Sequence, residues 1–385
     1  MRLPGLSALG WSNTSLSSSR SLPNTSSKLK TMTDSATPIG DIAFSFEDRL
    51  AQVLAEARKR SRTVSAQYGQ LWDSLTHMAT GGKLIRPRML LDAHAALGGR
   101  DEHAAVDAAC AMQLLHIALV IHDDVIDNDT IRRGEATISG EFASEAMSRG
   151  ALRRDANAWG IATSILGGDL ILTLSHSLLA RLDIEDTKRR AILDIFDDTV
   201  VESAAGEHSD VWLSLHLEGA NSPDVLAMVD QKTAVYSFQA PLLIAAVLAG
   251  ADSGLIDDLA TISRQIGVIY QLRDDVLGLF GDERETGKSN VSDLREGKET
   301  LLITFARSDP SWPEVHTLFG DKMLSNADGD RLRKVIEESG ALVFVESMIT
   351  QRCENLYRLI GEAALPPALS NQLIQLTSDA SSRTA

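Results

Sequence analysis

An apolar stretch at residues 104–127 constrains the fold of this chain more than any other feature. It contains neither glycine nor proline, and its apolar residues recur at helical spacing. Similar helical patterns occupy residues 46–65, 161–182, 187–207, 225–249, 255–280 and 331–362. Alternating strand patterns and Asn-Gly hairpin signals are missing from the sequence. The sequence therefore predicts an all-α fold, which we assign to one domain over residues 41–385.

Residues 1–40 differ in composition from the rest of the chain. They are rich in Ser, Thr, Asn and Pro, and they carry Arg and Lys but no acidic residue before Asp34. This composition resembles an organelle transit peptide only weakly, because the arginines are sparse and little amphipathic pattern is visible. We therefore favour a disordered N-terminal extension, while import into an organelle stays an open alternative.

The charge and the cysteines limit the partners and the compartment. The formal net charge is -16, and because nucleic-acid-binding proteins need a basic footprint, we expect no nucleic-acid partner. The two cysteines, Cys110 and Cys353, make neither a disulfide framework nor a zinc site, which favours a reducing, cytoplasmic location. No continuous apolar run reaches the ~20 residues that a membrane span needs, so we predict no span.

The apolar stretch ends in three carboxylates, Asp123, Asp124 and Asp127. Positions 123 and 127 are one helical turn apart, so their side chains share a face. Two carboxylates beside an apolar wall repel each other, and a bound cation relieves that repulsion. Mg²⁺ commonly takes one or two carboxylates together with phosphate oxygens and water. The alternative, a polar helix end that enters a loop, is less favourable because acids are disfavoured at a helix C-terminus.

A second helical pattern ends in the same way, at Asp274 and Asp275. Lysines that follow glycines come next along the chain, at Lys288 and Lys298. Lysine acts as a mobile point charge for phosphate groups. Further cations lie beside the acidic motifs, beside a glycine turn or within a helical pattern: Lys83, Arg86, Arg132, Arg133 and Lys232. A solvated surface explains any one of these residues, but the combination favours a site for a divalent cation and phosphate groups.

Taken together, these motifs resemble the trans-isoprenyl diphosphate synthases, also called polyprenyl synthetases. The resemblance extends over residues 42–365. Its specific matches are Gly81-Gly-Lys83-x-x-Arg86-Pro, Asp123-Asp-x-x-Asp127 with Arg132-Arg133, Gly167-Gly-Asp169, Lys232-Thr233, Gln271 with Asp274-Asp275, and Gly287-Lys288 to Gly297-Lys298. The resemblance implies a single-domain isoprenoid synthase bundle of helices around a central apolar cavity. It also implies a homodimer and a head-to-tail condensation of an allylic diphosphate with isopentenyl diphosphate, which releases diphosphate.

The resemblance assigns roles to single residues. Two or three Mg²⁺ ions would be held by Asp123, Asp124, Asp127, Asp274 and Asp275. The allylic diphosphate would contact Arg132, Lys232, Lys288 and Lys298, while Thr233 and Gln271 would lie near the reacting carbons. Isopentenyl diphosphate would be held by Lys83, Arg86, His116 and Arg133. Without the resemblance, a histidine in an apolar run such as His116 is more often a core residue.

One position departs from the family pattern. The second acidic motif of the family usually carries a third aspartate, and Gly278 occupies that position in this chain. We expect metal binding to persist, because water replaces a missing protein ligand of Mg²⁺. The glycine at position 278 therefore affects the strength of a third metal site.

The residues before Asp123 bear on product length. In the family, bulky aromatic residues four or five positions before the first aspartate stop the growing chain early. Leu119 and Ala118 occupy those positions here, with Leu115 further back. We therefore predict a product longer than C15, with geranylgeranyl diphosphate (C20) favoured, made from dimethylallyl, geranyl or farnesyl diphosphate.

Three alternatives stay open at this point. The chain could be a synthase of farnesyl diphosphate or of longer polyprenyl diphosphates. A terpene cyclase shares the fold and an Asp-rich motif, but it would carry an Asn-x-x-x-Ser-x-x-x-Glu type of second motif, which is not found. A non-catalytic subunit of a heteromeric synthase would have lost the first acidic motif, which is intact here.

Overall fold

Long helices make up most of the computed structural model, which describes residues 40–61, 64–132, 134–217, 219–282 and 290–383, with side chains from residue 46 onward. The first helices are α1 (Gly40–Ser61), α2 (Ala66–Thr80), α3 (Ile85–Ala96), α4 (Glu102–Ile126), α5 (Ile138–Ser148), α6 (Arg153–Ala180) and α7 (Asp186–Ser214). Next come α8 (Ser222–Val229), a π-helix at Asp230–Gln239, α9 (Ala240–Ala249) and α10 (Ser253–Phe280). The last are α11 (Ser292–Glu296), α12 (Leu301–Ala306), α13 (Asn326–Glu338), α14 (Ala341–Glu362) and α15 (Pro367–Ser382), with short 3-10 turns at Trp312–Glu314 and His316–Leu318. The all-α prediction is confirmed.

Extended structure in the described residues is limited to one short ladder. β1 (Ile131–Arg132) pairs antiparallel with β2 (Glu135–Ala136) directly after α4. This ladder holds Arg132 next to the carboxylates at the end of α4.

The two helices that end in acidic motifs begin at aspartate caps. Asp101 accepts a hydrogen bond from the Ala104 amide at 3.0 Å, and Asp252 accepts one from the Leu255 amide at 2.9 Å. Such caps satisfy amides that have no partner within the helix and fix where each helix begins. The caps therefore help to set the position of each acidic motif at the far end of its helix.

The core is built around α4, whose side chains are buried along most of its length. Leu114, Leu115 and Ala118 have no measurable exposure, and Ile121 is 1% exposed. Burying one leucine or isoleucine side chain stabilises the fold by roughly 1.5–3 kcal/mol. Helices α3, α6 and α9 pack against α4, so the helix that ends in the first acidic motif is held from several sides.

Several predicted helices differ from the observed ones in their winding or their bounds. The pattern at 225–249 is a continuous helix, but its middle third winds as a π-helix between α8 and α9. The pattern at 331–362 is interrupted, because Gly340 adopts a φ of 84° between α13 and α14. The pattern at 46–65 ends at Ser61.

Three helices in the described part of the chain are long and apolar enough to cross a membrane, judged by length and composition alone. They are Glu102–Ile126, Arg153–Ala180 and Ser222–Ala249. The apolar windows of the first and third are 78% and 72% buried within the fold, whereas that of the second is 39% buried. The predicted absence of a membrane span therefore stays a prediction.

The predicted N-terminal extension lies outside the described residues, apart from Gly40 at the start of α1. The domain boundary at residues 40 and 41 therefore stays a prediction.

Candidate active site

The ends of α4 and α10 converge on one lysine. The ammonium of Lys298, which follows α11, lies 3.8 Å from a carboxylate oxygen of Asp127. The same ammonium acts electrostatically on Asp123 and on Asp275. Burial disfavours its charge, but the carboxylates of Asp293 and others nearby outweigh burial and raise the pKa of Lys298 well above its usual value. The two predicted acidic motifs therefore share one electrostatic environment.

Asp123 lies between two cations. One carboxylate oxygen is 3.2 Å from the Lys232 ammonium, and the other accepts a hydrogen bond from Arg132 at 2.6 Å. Burial favours the neutral acid, but Lys232 and Arg132 outweigh it and hold the pKa of Asp123 below its usual value. Asp123 is consequently an anionic carboxylate within the cluster.

The pKa of Asp127 shifts in the opposite direction to that of Asp123. Burial raises its pKa to about 7, and the nearby Asp123 charge adds to this effect, while Lys298 opposes it. A divalent cation placed between Asp123 and Asp127 would relieve the repulsion between the two carboxylates.

Asp124 is more deeply buried than the other two carboxylates of the first acidic motif. Its side chain is almost completely buried, and Arg132 donates a hydrogen bond from Nε to it at 2.5 Å. Burial raises the pKa of Asp124 to about 6, although Arg132 lowers it. Asp124 thus orients Arg132 toward Asp123, and its predicted role as a metal ligand stays a prediction.

Lys232 lies in the π-helix and contacts a group of acids that the sequence analysis missed. Its ammonium is 2.7 Å from Asp210 and 2.9 Å from Glu207, both on α7. Burial disfavours the charge on Lys232, but these carboxylates and Asp123 raise its pKa above the usual value. The spacing Gly206-Glu207-x-x-Asp210, which puts two acids on one helical face, was the available signal.

A chain of hydrogen bonds joins the π-helix to the second acidic motif. Thr233 donates to the Gln271 side-chain oxygen at 3.0 Å, and Gln271 donates to Asp275 at 2.9 Å. Burial raises the pKa of Asp275 to about 8, with the hydrogen bond from Gln271 acting against it and Asp274 acting with it. The structure therefore brings together the predicted residues Thr233, Gln271 and Asp275.

Asp274 has a different environment from Asp275. Its side chain is 49% exposed and forms an ion pair at 3.1 Å with Arg383, which follows α15. Arg383 also lies over the Tyr270 ring, 4.3 Å from its centroid. The predicted metal ligand Asp274 is thus at the edge of the cluster and is paired with a cation from the end of the chain.

The departure at Gly278 has a structural counterpart in Asp293. A Cβ placed on Gly278 would overlap an oxygen of the Asp293 carboxylate. The charge of Asp293, on α11, acts on both Asp275 and Lys298. A carboxylate from α11 therefore occupies the space that a side chain at position 278 would take.

Two of the residues predicted for isopentenyl diphosphate, Arg86 and His116, contact Tyr236 of the π-helix. Arg86, in the first turn of α3, donates hydrogen bonds to Ser237 at 2.7 Å and to the Tyr236 hydroxyl at 3.3 Å. The ring of His116 stacks on Tyr236, with centroids 6.0 Å apart and planes 17° apart. Lys83 is exposed in the turn before α3. The π-helix is therefore shared by both predicted substrate sites.

The predicted chain-length residues lie on α4. Ala118 and Leu115 are fully buried, and Leu119 packs against the core. Two predicted substrate ligands, Arg133 and Lys288, lie outside the described residues.

The donor atoms of the site determine how it could hold Mg²⁺. Its donors are carboxylate oxygens, which Mg²⁺ prefers, and Asp123 and Asp127 lie one helical turn apart. Among the described residues, no three acidic, histidine or cysteine side chains converge as a complete cage for a metal ion. Because Mg²⁺ is usually held by one or two carboxylates with substrate phosphates and water, this donor set suits an ion that binds together with a diphosphate.

Comparisons with known proteins agree with this geometry. The family model described as Polyprenyl synthetase matches residues 69–337. Geranylfarnesyl diphosphate synthase from Aeropyrum pernix is 29% identical over 310 residues, which cover 80% of this chain and 91% of that protein. The (2E,6E)-farnesyl diphosphate synthase from Mycobacterium tuberculosis is 33% identical over 224 residues, covering 58% of this chain and 56% of that protein. Geranylgeranyl pyrophosphate synthase from Corynebacterium glutamicum, solved with isoprenyl diphosphate and magnesium, has a TM-score of 0.83 and 27% identity, covering 90% of this chain and 100% of that one.

Proposed function

Because this chain belongs to the polyprenyl synthetase family, we propose that it condenses an allylic diphosphate with isopentenyl diphosphate head to tail and releases diphosphate. As a member of that family it is a prenyltransferase that elongates prenyl chains. The observation that supports this reaction most is the convergence of Asp127 and Asp275, from the ends of two apolar helices, on Lys298. Such a cluster suits a substrate with a charged diphosphate and a hydrocarbon tail.

The first step is ionisation of the allylic diphosphate, during which negative charge grows on the departing diphosphate. Arg132, Lys232 and Lys298 lie around the acidic cluster. Preorganised cations stabilise a charge that develops in the transition state. Mg²⁺ held through Asp123 and Asp127 would supply Lewis-acid neutralisation of the same charge.

The second step is attack on C1 of the allylic cation by the double bond of isopentenyl diphosphate. Arg86 and His116, which both contact Tyr236, would bind the second substrate. Holding both substrates in a reactive geometry supplies much of the acceleration. The allylic cation has to be kept from water during this step. The last step is loss of a proton, for which the released diphosphate is the proposed base.

For the product we propose geranylgeranyl diphosphate (C20). The relatives carry the names of synthases with different products, so the proposal depends on this chain's own residues. Ala118 and Leu115 are small or aliphatic and are fully buried on α4, where an aromatic residue would shorten the space for the tail. Ala118→Phe should therefore shift the product toward C15, and an unchanged product spectrum would contradict this role for Ala118.

Product analysis by mass spectrometry tests the proposed function. The wild-type chain is incubated with Mg²⁺ and with dimethylallyl, geranyl or farnesyl diphosphate, each with and without isopentenyl diphosphate. We expect elongated diphosphates, ending at C20, only when isopentenyl diphosphate is present. Conversion of one prenyl diphosphate to a hydrocarbon without isopentenyl diphosphate would instead identify a terpene cyclase, and absence of any elongation would support a non-catalytic subunit.

We also propose that two copies of the chain form a homodimer. Helix α6 exposes Trp159, Ile161, Ile165 and Leu166, with 39% to 57% of each residue accessible. The following helix, α7, exposes Val201 and Trp212. Exposed apolar faces of this kind are usual at protein interfaces, and a second copy supplies a matching apolar face by two-fold symmetry.

A cytoplasmic location and the absence of a nucleic-acid partner complete the proposal. The first is supported by two buried free thiols, Cys110 and Cys353. The second is supported by the net charge of -16.

A further inference from the structure

One arginine on α10 binds both ends of the π-helix. Arg264 donates from Nε and Nη2 to the Asp230 carboxylate, with its shortest hydrogen bond at 2.6 Å. It also donates to the Gln239 side-chain oxygen at 3.4 Å and to Glu202 on α7 at 2.8 Å. Asp230 and Gln239 are the first and last residues of the π-helix. A single guanidinium therefore joins α7, α10 and both ends of this segment.

The contacts of Arg264 depend on π-helical winding. Asp230 and Gln239 are nine positions apart. With about 4.4 residues per π-helical turn, nine positions complete two turns and return to the same face. With the roughly 3.6 residues per turn of an α-helix, nine positions make two and a half turns and end on the opposite face. Arg264 thus reaches both residues only in the observed winding.

The packing around the π-helix also depends on the π-helical winding. A Cβ on Gly206 of α7 would overlap the backbone of Lys232, and a Cβ on Gly267 of α10 would overlap Ala234. Gly267 lies three positions after Arg264, on the same helix. The flanking helices therefore approach the backbone of the π-helix on two sides, and Arg264 fixes its ends.

The winding decides where two adjacent residues point. Lys232 reaches Asp123 on α4 and the acids of α7, whereas Thr233 reaches Gln271 on α10. An α-helical segment would rotate both side chains relative to the residues before them. Each would then lose the partner that it contacts in the described site.

Given the proposed prenyl transfer, on which this inference rests, we infer that Arg264 is a positioning residue for catalysis. By binding Asp230, Gln239 and Glu202 together, it maintains the π-helical winding that holds Lys232 and Thr233 toward the diphosphate and the reacting carbons. Arg264 itself has no contact with the predicted metal ligands among the hydrogen bonds of the described residues.

The test compares Arg264→Met, Arg264→Lys and the matched control Arg49→Met in the full chain. Arg49 also forms a part-buried bidentate pair, with Asp107, but it joins α1 to α4 away from the π-helix. We expect Arg264→Met to lower kcat at least tenfold and to speed amide hydrogen exchange over residues 230–239. Arg264→Lys, which keeps the charge but not the fork of donors, should recover activity only in part. Arg49→Met should keep kcat within twofold per folded molecule.

A further comparison separates positioning from general stability. In the double variant Lys232→Met/Thr233→Val, adding Arg264→Met should change the remaining turnover by less than threefold, because residues that act as a unit are not additive. Full multiplication of the two losses would overturn the inference, as would unchanged hydrogen exchange over 230–239 in Arg264→Met. Absence of condensation by the wild-type chain would instead count against the proposed function, and the exchange measurement would still decide the role of Arg264.

Discussion

The ammonium of Lys298 lies 3.8 Å from the carboxylate of Asp127, and this pair connects the chain after the second acidic motif to the end of the first. Lys298 follows Gly297, which ends α11 with a φ of 73°. That left-handed conformation is one that glycine adopts readily. The turn therefore directs the lysine to the junction of the two motifs, where a diphosphate would carry its charge.

Replacing Lys298 by methionine should weaken binding of the allylic diphosphate. The methionine keeps most of the side-chain volume but removes the ammonium near Asp127 and Asp123. We expect the KM for the allylic diphosphate to rise about tenfold or more, equivalent to about 1.4 kcal/mol of lost interaction. Steady-state kinetics measure this, with the exposed Lys322→Met as the control. An unchanged KM would contradict a diphosphate-binding role for Lys298.

Asp124→Asn should reduce both stability and turnover. The substitution keeps the shape of the side chain but removes the charge that holds Arg132. Loss of this buried partner should cost about 1–3 kcal/mol of unfolding free energy, measured by urea denaturation. Turnover should fall because Arg132 is no longer fixed beside Asp123.

The control for this variant lies on the same helix. Asp107→Asn removes a carboxylate that pairs with Arg49, so it should cost stability without changing turnover per folded molecule. Equal turnover in Asp124→Asn and wild type would show that the Asp124–Arg132 pair does not position the site.

Gly278→Asp, which would restore the usual third aspartate of the family motif, should lower activity. The new side chain would overlap Asp293 and add a third carboxylate beside Asp275. We expect about a tenfold loss of turnover, because a displaced carboxylate and added like-charge repulsion both disturb the cluster. The double variant Gly278→Asp/Asp293→Ala removes the Asp293 carboxylate that the new side chain would overlap. It should therefore be more active than Gly278→Asp alone. A Gly278→Asp variant more active than wild type would show that the Asp293 carboxylate is no obstacle to a third aspartate at position 278.

Ile165→Glu should dissociate the proposed homodimer. Ile165 is 43% exposed on the apolar face of α6, and a carboxylate there would be buried at an interface without a partner. Light scattering after size-exclusion chromatography should give the mass of one chain for this variant and of two chains for wild type. Val343→Glu changes an exposed apolar residue on α14 and should leave the mass unchanged. Wild-type protein with the mass of a single chain would rule out the dimer.

Helical periodicity was sufficient to predict the two acidic helix ends, because the same 3.6-residue repeat that buries Leu115 and Ala118 on α4 also brings Asp123 and Asp127 to one face. The turn residue Gly340 was visible in the sequence, but its effect was not. A helical pattern continues on both sides of it, and only the backbone, with a φ of 84° at Gly340, shows that the helix is interrupted there.

The π-helix could not be predicted from the pattern at 225–249. Its winding depends on contacts with distant residues, namely the fork of Arg264 and the backbone access that Gly206 and Gly267 provide. The different environments of Asp123 and Asp124, and of Asp274 and Asp275, also depend on distant residues. Adjacent acids look equivalent in a sequence, but Lys232 from the π-helix approaches Asp123, while Asp124 is more deeply buried against Arg132. Arg383 pairs with Asp274, whereas Gln271 donates a hydrogen bond to Asp275.

The most direct test of the central claim is condensation by the wild-type chain and by Asp123→Ala, measured as transfer of labelled isopentenyl diphosphate into longer prenyl diphosphates. Circular dichroism checks that the variant remains folded, and chelation of divalent cations by EDTA serves as a second control. We predict elongation by wild type in the presence of Mg²⁺, no elongation after chelation, and at least a hundredfold loss in folded Asp123→Ala, about 2.7 kcal/mol of transition-state stabilisation. Near-normal turnover in Asp123→Ala, or turnover that persists without divalent cations, would contradict the account.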